Sequence, residues 1–260
     1  MRFRSLILDD LHIEDERSFR HVGLYDALKQ TLRRDGYRFR VPEGPPAAWD
    51  RVAFLNLTYW EPGDQGDVLA APTLPADVVT HVAWHHLARR ALAGASSADA
   101  LFLGEAIASA FDLYLVGRLL GHAPEAQFLE TQVPAMADAA AAAGLPDEGF
   151  EALLQAIAAD PERAFEDLRA LLFDATTSLV AARGVDEAAA ALAALDGRRF
   201  APLLHHYELS NWVLYVRAHA AHALAPDPAV RAVDAALRAA PVALDWLEHA
   251  WLGDGGRPGG

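Results

Sequence analysis

The chain reads as an α+β fold, predominantly α-helical. A small N-terminal strand-containing part precedes a pair of helices, and a helical C-terminal bundle follows. Three observations carry this reading. Residues typical of strands concentrate before about residue 70, helical spacing runs almost unbroken after it, and Pro or Gly punctuates the helical stretches. With 260 residues, 53 % of them apolar, the chain has material for a large core.

In the N-terminal part, Ser5–Leu8 is a short strand candidate. From Ser18 to Arg34 the apolar residues Val22, Leu24, Tyr25, Leu28 and Leu32 recur at helical spacing, and the run ends at Gly36. The Pro/Gly segment Pro42–Pro46 separates this helix from Arg51–Trp60, the segment richest in β-formers. Glu61–Asp67 then closes that strand in a loop.

The helix pair follows. The first helix begins near Thr73, with Pro75 tolerated in its first turn, and stops at Gly94. The second opens on Ser96, Ser97 and Asp99, a capping-box pattern, and runs to Gly121. So short a linker predicts antiparallel neighbours.

Beyond residue 122 the spacing predicts helices throughout: an alanine-rich interior at Ala135–Ala143, then 147–159, 161–183, 186–195, 203–224, 228–239 and 241–252. Three parts result: 1–121, holding the strands and the helix pair; 122–252, helical and packed on it; and 253–260, a flexible tail.

Composition excludes several classes of function. The formal charge of −14 disfavours a sequence-independent nucleic-acid binder, which needs clustered Lys and Arg, and disfavours binding to anionic membranes. Without cysteine there is no disulfide, thiolate nucleophile or thiolate metal ligand. The first apolar run ends at Asp9, too short for a signal peptide, and no run of about 18 apolar residues spans a membrane. A cytoplasmic protein is expected, and Arg and Ala beside a single lysine, Lys29, point to a GC-rich bacterial genome. The partner expected is a small-molecule or peptide ligand, with no nucleic acid and no membrane; the oligomeric state is open.

The residues that carry chemistry lie on the helix pair. His81, His85 and His86 fall within six residues of an otherwise apolar helix. His81 and His85 are i and i+4 and share a face, whereas His86 is turned about 100° from His85. Two imidazoles so placed can hold one metal ion, and Glu105, a carboxylate in an apolar stretch of the next helix, supplies a third ligand. Asp112, seven residues on, shares the face of Glu105 and is suited to orient a ligating imidazole or to act as a base.

This set resembles the zinc-binding core of the gluzincin type of metallopeptidase. That resemblance implies His81 and His85 as histidine ligands, Glu105 as the carboxylate ligand and Zn²⁺ as the metal. It covers about 40 of the 260 residues and departs at one position. The glutamate that follows the first histidine in that family is here Val82, which cannot accept a proton. Any hydrolysis would need another base, His86 or Asp112.

A second polar stripe falls on the helix expected over 203–224. At 100° per residue Glu208, Trp212, Tyr215, His219 and His222 align, with His205 at the edge. Tyr215 and His219 are therefore candidate proton donors or oxyanion stabilisers. The plain alternative is the solvated face of an amphipathic helix.

The reading favoured is a metal-binding protein with a two-His, one-carboxylate site, hydrolase-like or a degenerate relative of the metallopeptidases. The same ligands also suit a non-haem iron oxygenase-type enzyme using Fe²⁺. The non-enzymatic alternative is an acidic helical interaction protein whose histidines are structural.

Overall fold

The computed structural model describes residues 2–43, 66–92, 97–219 and 225–253, with the side chain of His219 excluded. The expected strand at 51–60, His222 and residues 254–260 of the expected tail lie outside the described residues. The described part is an α+β fold dominated by helices, in two compact units, 1–83 and 84–260.

In the first unit β1 (Arg2–Ile7) pairs antiparallel with β3 (Arg38–Glu43), in a register that sets Leu6 opposite Phe39. β2 (His12–Glu14) pairs in parallel with β4 (Thr73–Pro75). Between β2 and β3 lie a 3₁₀ helix (Glu16–His21) and α1 (Tyr25–Arg34). Leu28 and Leu32, one turn apart on α1, are fully buried, as is Phe39. The helical run expected from Ser18 to Arg34 is thus broken into two. Leu24 adopts a left-handed backbone (φ 69°) beside Gly23, so the chain turns between the 3₁₀ helix and α1.

The helix expected to start near Thr73 starts instead at Ala76. Thr73–Pro75 stays extended because it pairs with β2, and Pro75 closes that strand rather than opening the helix. α2 (Ala76–Ala91) is continuous across the boundary between the two units.

The second unit is built around α3 (Ala98–His122), whose residues are mostly buried. By length and composition α3 is the one described helix apolar enough to cross a membrane, yet its apolar window is 78 % buried inside the protein. It packs most extensively on α6 (Pro161–Ala181), and also on α4 (Gln127–Ala142) and α5 (Asp147–Ala159). At Gly117 the approach is so close that a Cβ would lie 2.7 Å from the Ile157 carbonyl oxygen, so only glycine fits.

Helices α7 (Val185–Ala193), α8 (Leu209–His219), α9 (Pro228–Ala239) and α10 (Ala243–Leu247) complete the unit, with a π turn at Glu248–Leu252. Ser97 caps α3 by accepting from the Ala100 amide (3.2 Å). Asp99 does not close a capping box. It is buried and receives two hydrogen bonds from Arg231 (2.7 and 3.0 Å) and one from the Asp227 amide (3.0 Å). Deeper in the unit Arg169, with no exposed surface, bonds Glu166 and Asp234, and Asp234 also accepts from Arg238.

The single helix expected over 203–224 is two elements. Residues Ala201–Tyr207 form a 3₁₀ helix, Glu208 turns left-handed (φ 47°), and α8 begins at Leu209. The break is held by Asn211: the Glu208 carbonyl accepts from its amide (2.8 Å) and the Glu208 carboxylate from its side chain (2.7 Å). Glu208 therefore leaves the stripe expected to join it to Tyr215 and His219.

Candidate metal centre

α2 presents one buried face and one half-buried polar face. Val79, Ala83, Trp84 and Leu87 are fully buried, whereas His81, His85 and His86 are half-buried. The buried face fixes the rotation of the helix and so aims the histidines. Trp84 anchors it, its ring 5.5 Å from Phe111 and 6.5 Å from Trp251. At the end of α2 Arg90 donates to the Trp251 carbonyl oxygen (2.9 Å). These contacts leave His85 little freedom beyond its own rotamers.

α3 supplies the carboxylate. Ala88 meets Gly104, His85 meets Glu105 and Trp84 meets Phe111, so the two helices run antiparallel, as the short connection predicts. The His85 Nε2 atom lies 3.5 Å from Glu105 Oε2, both side chains being mostly covered. One ligand atom from each of His81, His85 and Glu105 lies within 4.8 Å of the other two.

The donor set, two imidazoles and a carboxylate, fits a divalent cation. Tetrahedral ligand atoms at about 2.0–2.2 Å from zinc stand roughly 3.3–3.6 Å from one another. The His85–Glu105 separation matches this spacing, and the other separations are at most 4.8 Å. Two imidazoles and one carboxylate leave a position open, the arrangement of sites that bind water or substrate. Comparison with family models, with curated proteins and with solved structures gives no match to this chain. Geometry alone therefore carries the reading of the site.

Around the three ligands the other candidates are distributed unevenly. His86 follows His85 on α2, and Asp112 stands two turns beyond Glu105 on α3; neither is part of the three-residue group. Val82, where the metallopeptidase glutamate would stand, is only 6 % exposed and belongs to the core. A carboxylate at this position would be largely removed from solvent.

Asp112 has neighbours that helix phase did not reveal. Its charge acts on His206 and Tyr207, which lie in the 3₁₀ helix and pack edge to face with ring centroids 4.9 Å apart. Burial lowers the His206 pKa and Asp112 partly opposes it. Burial, aided by Asp112, raises the Tyr207 pKa. Tyr207 is thus a phenol that keeps its proton, and His206 is held toward the neutral imidazole.

Tyr215 lies on α8, which packs on α6, and burial raises its pKa. Arg217 of the same helix donates to the Leu179, Val180 and Ala182 carbonyl oxygens at the end of α6 (3.1, 3.3 and 2.6 Å). Helix phase does not single out His206 and Tyr207, because they precede the left-handed turn at Glu208 and lie on a different element from Tyr215. No spacing rule encodes such a break.

Proposed function

We propose that this chain is a metalloprotein in which His81, His85 and Glu105 bind one divalent cation, and that it acts as a metal-dependent hydrolase. The convergence of three ligand atoms within 4.8 Å, from two packed helices, carries the proposal. Zinc is the favoured metal because the donors are nitrogen and oxygen and an open position remains. In the cysteine-free chain these are the donors available to hold it.

Bound there, the metal would polarise a substrate carbonyl and lower the pKa of a water molecule. The protein's own part is distributed differently from that of a metallopeptidase. Val82 cannot move a proton, so base chemistry falls to groups further along α3 and its neighbours. Asp112 is an acceptor, and Tyr207 is a donor that keeps its proton at neutral pH. His206, kept toward the neutral form, can accept a proton or orient Asp112. Ordinary proteolysis of the metallopeptidase kind is not expected; cleavage of a smaller or more activated acyl substrate fits this arrangement better.

Elemental analysis of untagged protein tests the metal assignment. Wild type should carry close to one equivalent, and His81→Ala and Glu105→Ala should each abolish it. Metal content unaffected by either substitution would remove the basis of the proposal. Iron in place of zinc would move the reading to an oxygenase-type centre.

A further inference from the structure

The first unit contains a cleft of about 640 Å³, a size suited to a small molecule. It is lined by β2, the 3₁₀ helix Glu16–His21 and the first turn of α1, with His12, Arg17, Arg20 and Asp26 among the lining residues. In a 3₁₀ helix, with three residues per turn, i and i+3 stand directly above one another, about 6 Å apart along the axis. Arg17 and Arg20 are such a pair. Both are exposed, and Phe19, between them in sequence, is buried and roots the turn in the core.

The charges of this cleft are unequally engaged. Asp15 accepts from the Ser18 hydroxyl (2.6 Å). Glu16 accepts from Tyr25 (3.0 Å) and pairs with Lys29. Burial opposes the Glu16 charge, but these two donors hold its pKa below the ordinary value. The side chains of Arg17, Arg20 and His12, by contrast, make no hydrogen bond or ion pair with other described residues. In a chain with 36 acidic and 22 basic residues, two adjacent guanidiniums left unpaired beside carboxylates run against the average.

The backbone adds a second observation. The 3₁₀ helix is bracketed by left-handed non-glycine residues, Asp15 (φ 53°) and Leu24 (φ 69°). Such a conformation is costly for leucine, and strain of this kind concentrates where geometry serves a ligand. Here it holds the segment that presents both arginines to the cleft.

We propose that this cleft is a binding site for a small molecule bearing a phosphate or other dianionic oxyanion, gripped by Arg17 and Arg20 with His12 beside them. Two guanidinium groups carried one 3₁₀ turn apart can each donate two hydrogen bonds to the oxygens of such a group. Asp26, on the first turn of α1, is placed to accept from a hydroxyl or amine elsewhere on the same ligand.

Calorimetric titration of the full chain with inorganic phosphate, at constant ionic strength and against chloride, tests the site. The protein is first stripped of metal with a chelator, so that the centre at His81, His85 and Glu105 takes no phosphate. Saturable binding should weaken about tenfold or more in Arg17→Gln and in Arg20→Gln, and vanish in the double variant. Arg34→Gln, at an exposed residue paired with Asp35 outside the cleft, should bind as wild type. Malonate in place of phosphate serves a dicarboxylate ligand, and binding of either anion that the double variant loses supports the site.

A readout independent of the variants is modification of wild-type arginines by phenylglyoxal, followed by mass spectrometry. The anion should protect Arg17 and Arg20 selectively. Failure of both anions to bind beyond chloride, undiminished binding in a folded double variant, or absence of protection would each overturn the proposal.

Discussion

A Cβ atom on Gly104 would lie 3.3 Å from the Ala88 methyl carbon, so α2 and α3 approach about as closely as side chains allow. The next residue on α3 is Glu105, and His85 lies one turn before Ala88. The spacing of the candidate metal group is therefore tied to a backbone approach at one glycine. Gly104→Ala should be nearly neutral, a small displacement offsetting the gain in helix propensity. Gly104→Val should force the helices apart and cost about 1–3 kcal/mol. It should also weaken metal binding, and calorimetric titration with Zn²⁺ reads both effects beside a denaturant melt.

Metal binding should raise stability by linkage, since the unfolded chain holds no assembled site. A hundredfold excess of free metal over its dissociation constant contributes about 2.7 kcal/mol. Thermal melting of wild type should thus shift upward on adding Zn²⁺ and return with chelator. His85→Ala should melt at one temperature with or without metal.

Restoring the metallopeptidase glutamate should fail for a structural reason. Val82 is a core residue, 6 % exposed, and Val82→Glu would bury a carboxylate with no established partner. A loss of roughly 3–5 kcal/mol is expected, as for other uncompensated buried charges. Urea unfolding and a peptidase assay on the same preparation check this. A stable, proteolytically active variant would contradict the placement of residue 82.

His206 predicts a dependence of stability on pH. Its folded-state pKa is lowered below 6.5, chiefly by burial. Above that value the imidazole is neutral in both states and nothing is lost. As pH falls below 6.5 the unfolded chain takes up a proton that the folded chain resists, so stability drops until the folded-state pKa is passed. His206→Phe, which keeps the ring packing on Tyr207, should flatten this part of the profile. Denaturant midpoints between about pH 7.5 and about pH 5, variant against wild type, isolate the contribution from the other histidines.

The buried ion network makes a further prediction. Asp234 accepts from both Arg169 and Arg238, and Arg169 has no exposed surface. Asp234→Ala should cost about 3 kcal/mol or more, because it leaves a buried guanidinium short of a partner. Arg169→Met should cost less, since no cation is then left uncompensated in the core. Equal losses in the two variants would argue that packing, not charge, decides the matter.

Helix phase and a short connection make the His81, His85 and Glu105 group legible in the sequence. His81, His85 and Glu105 lie on long periodic segments joined by a short connection, and the residue facing each is set by local geometry. Leu28 and Leu32 of α1 were legible for the same reason. What escaped notice depends on single residues turning the chain. Leu24 splits one expected helix and Glu208 another, and neither is a residue type that signals left-handed backbone. Thr73–Pro75 reads as the start of a helix in sequence, whereas its extended form is fixed by pairing with the distant His12–Glu14. The neighbours of Asp112, His206 and Tyr207, depend in turn on the break at Glu208.

Glu105 sits on the most thoroughly enclosed helix of the second unit, α3, which packs on α4, α5 and α6. The amide protons of its central turns should exchange with solvent only when the whole unit opens, while those of the first unit's short strands exchange sooner. A ligand carried on such a scaffold has little reorganisation left to undergo when a cation arrives. Association should then draw on desolvation of the ion far more than on any rearrangement of α3.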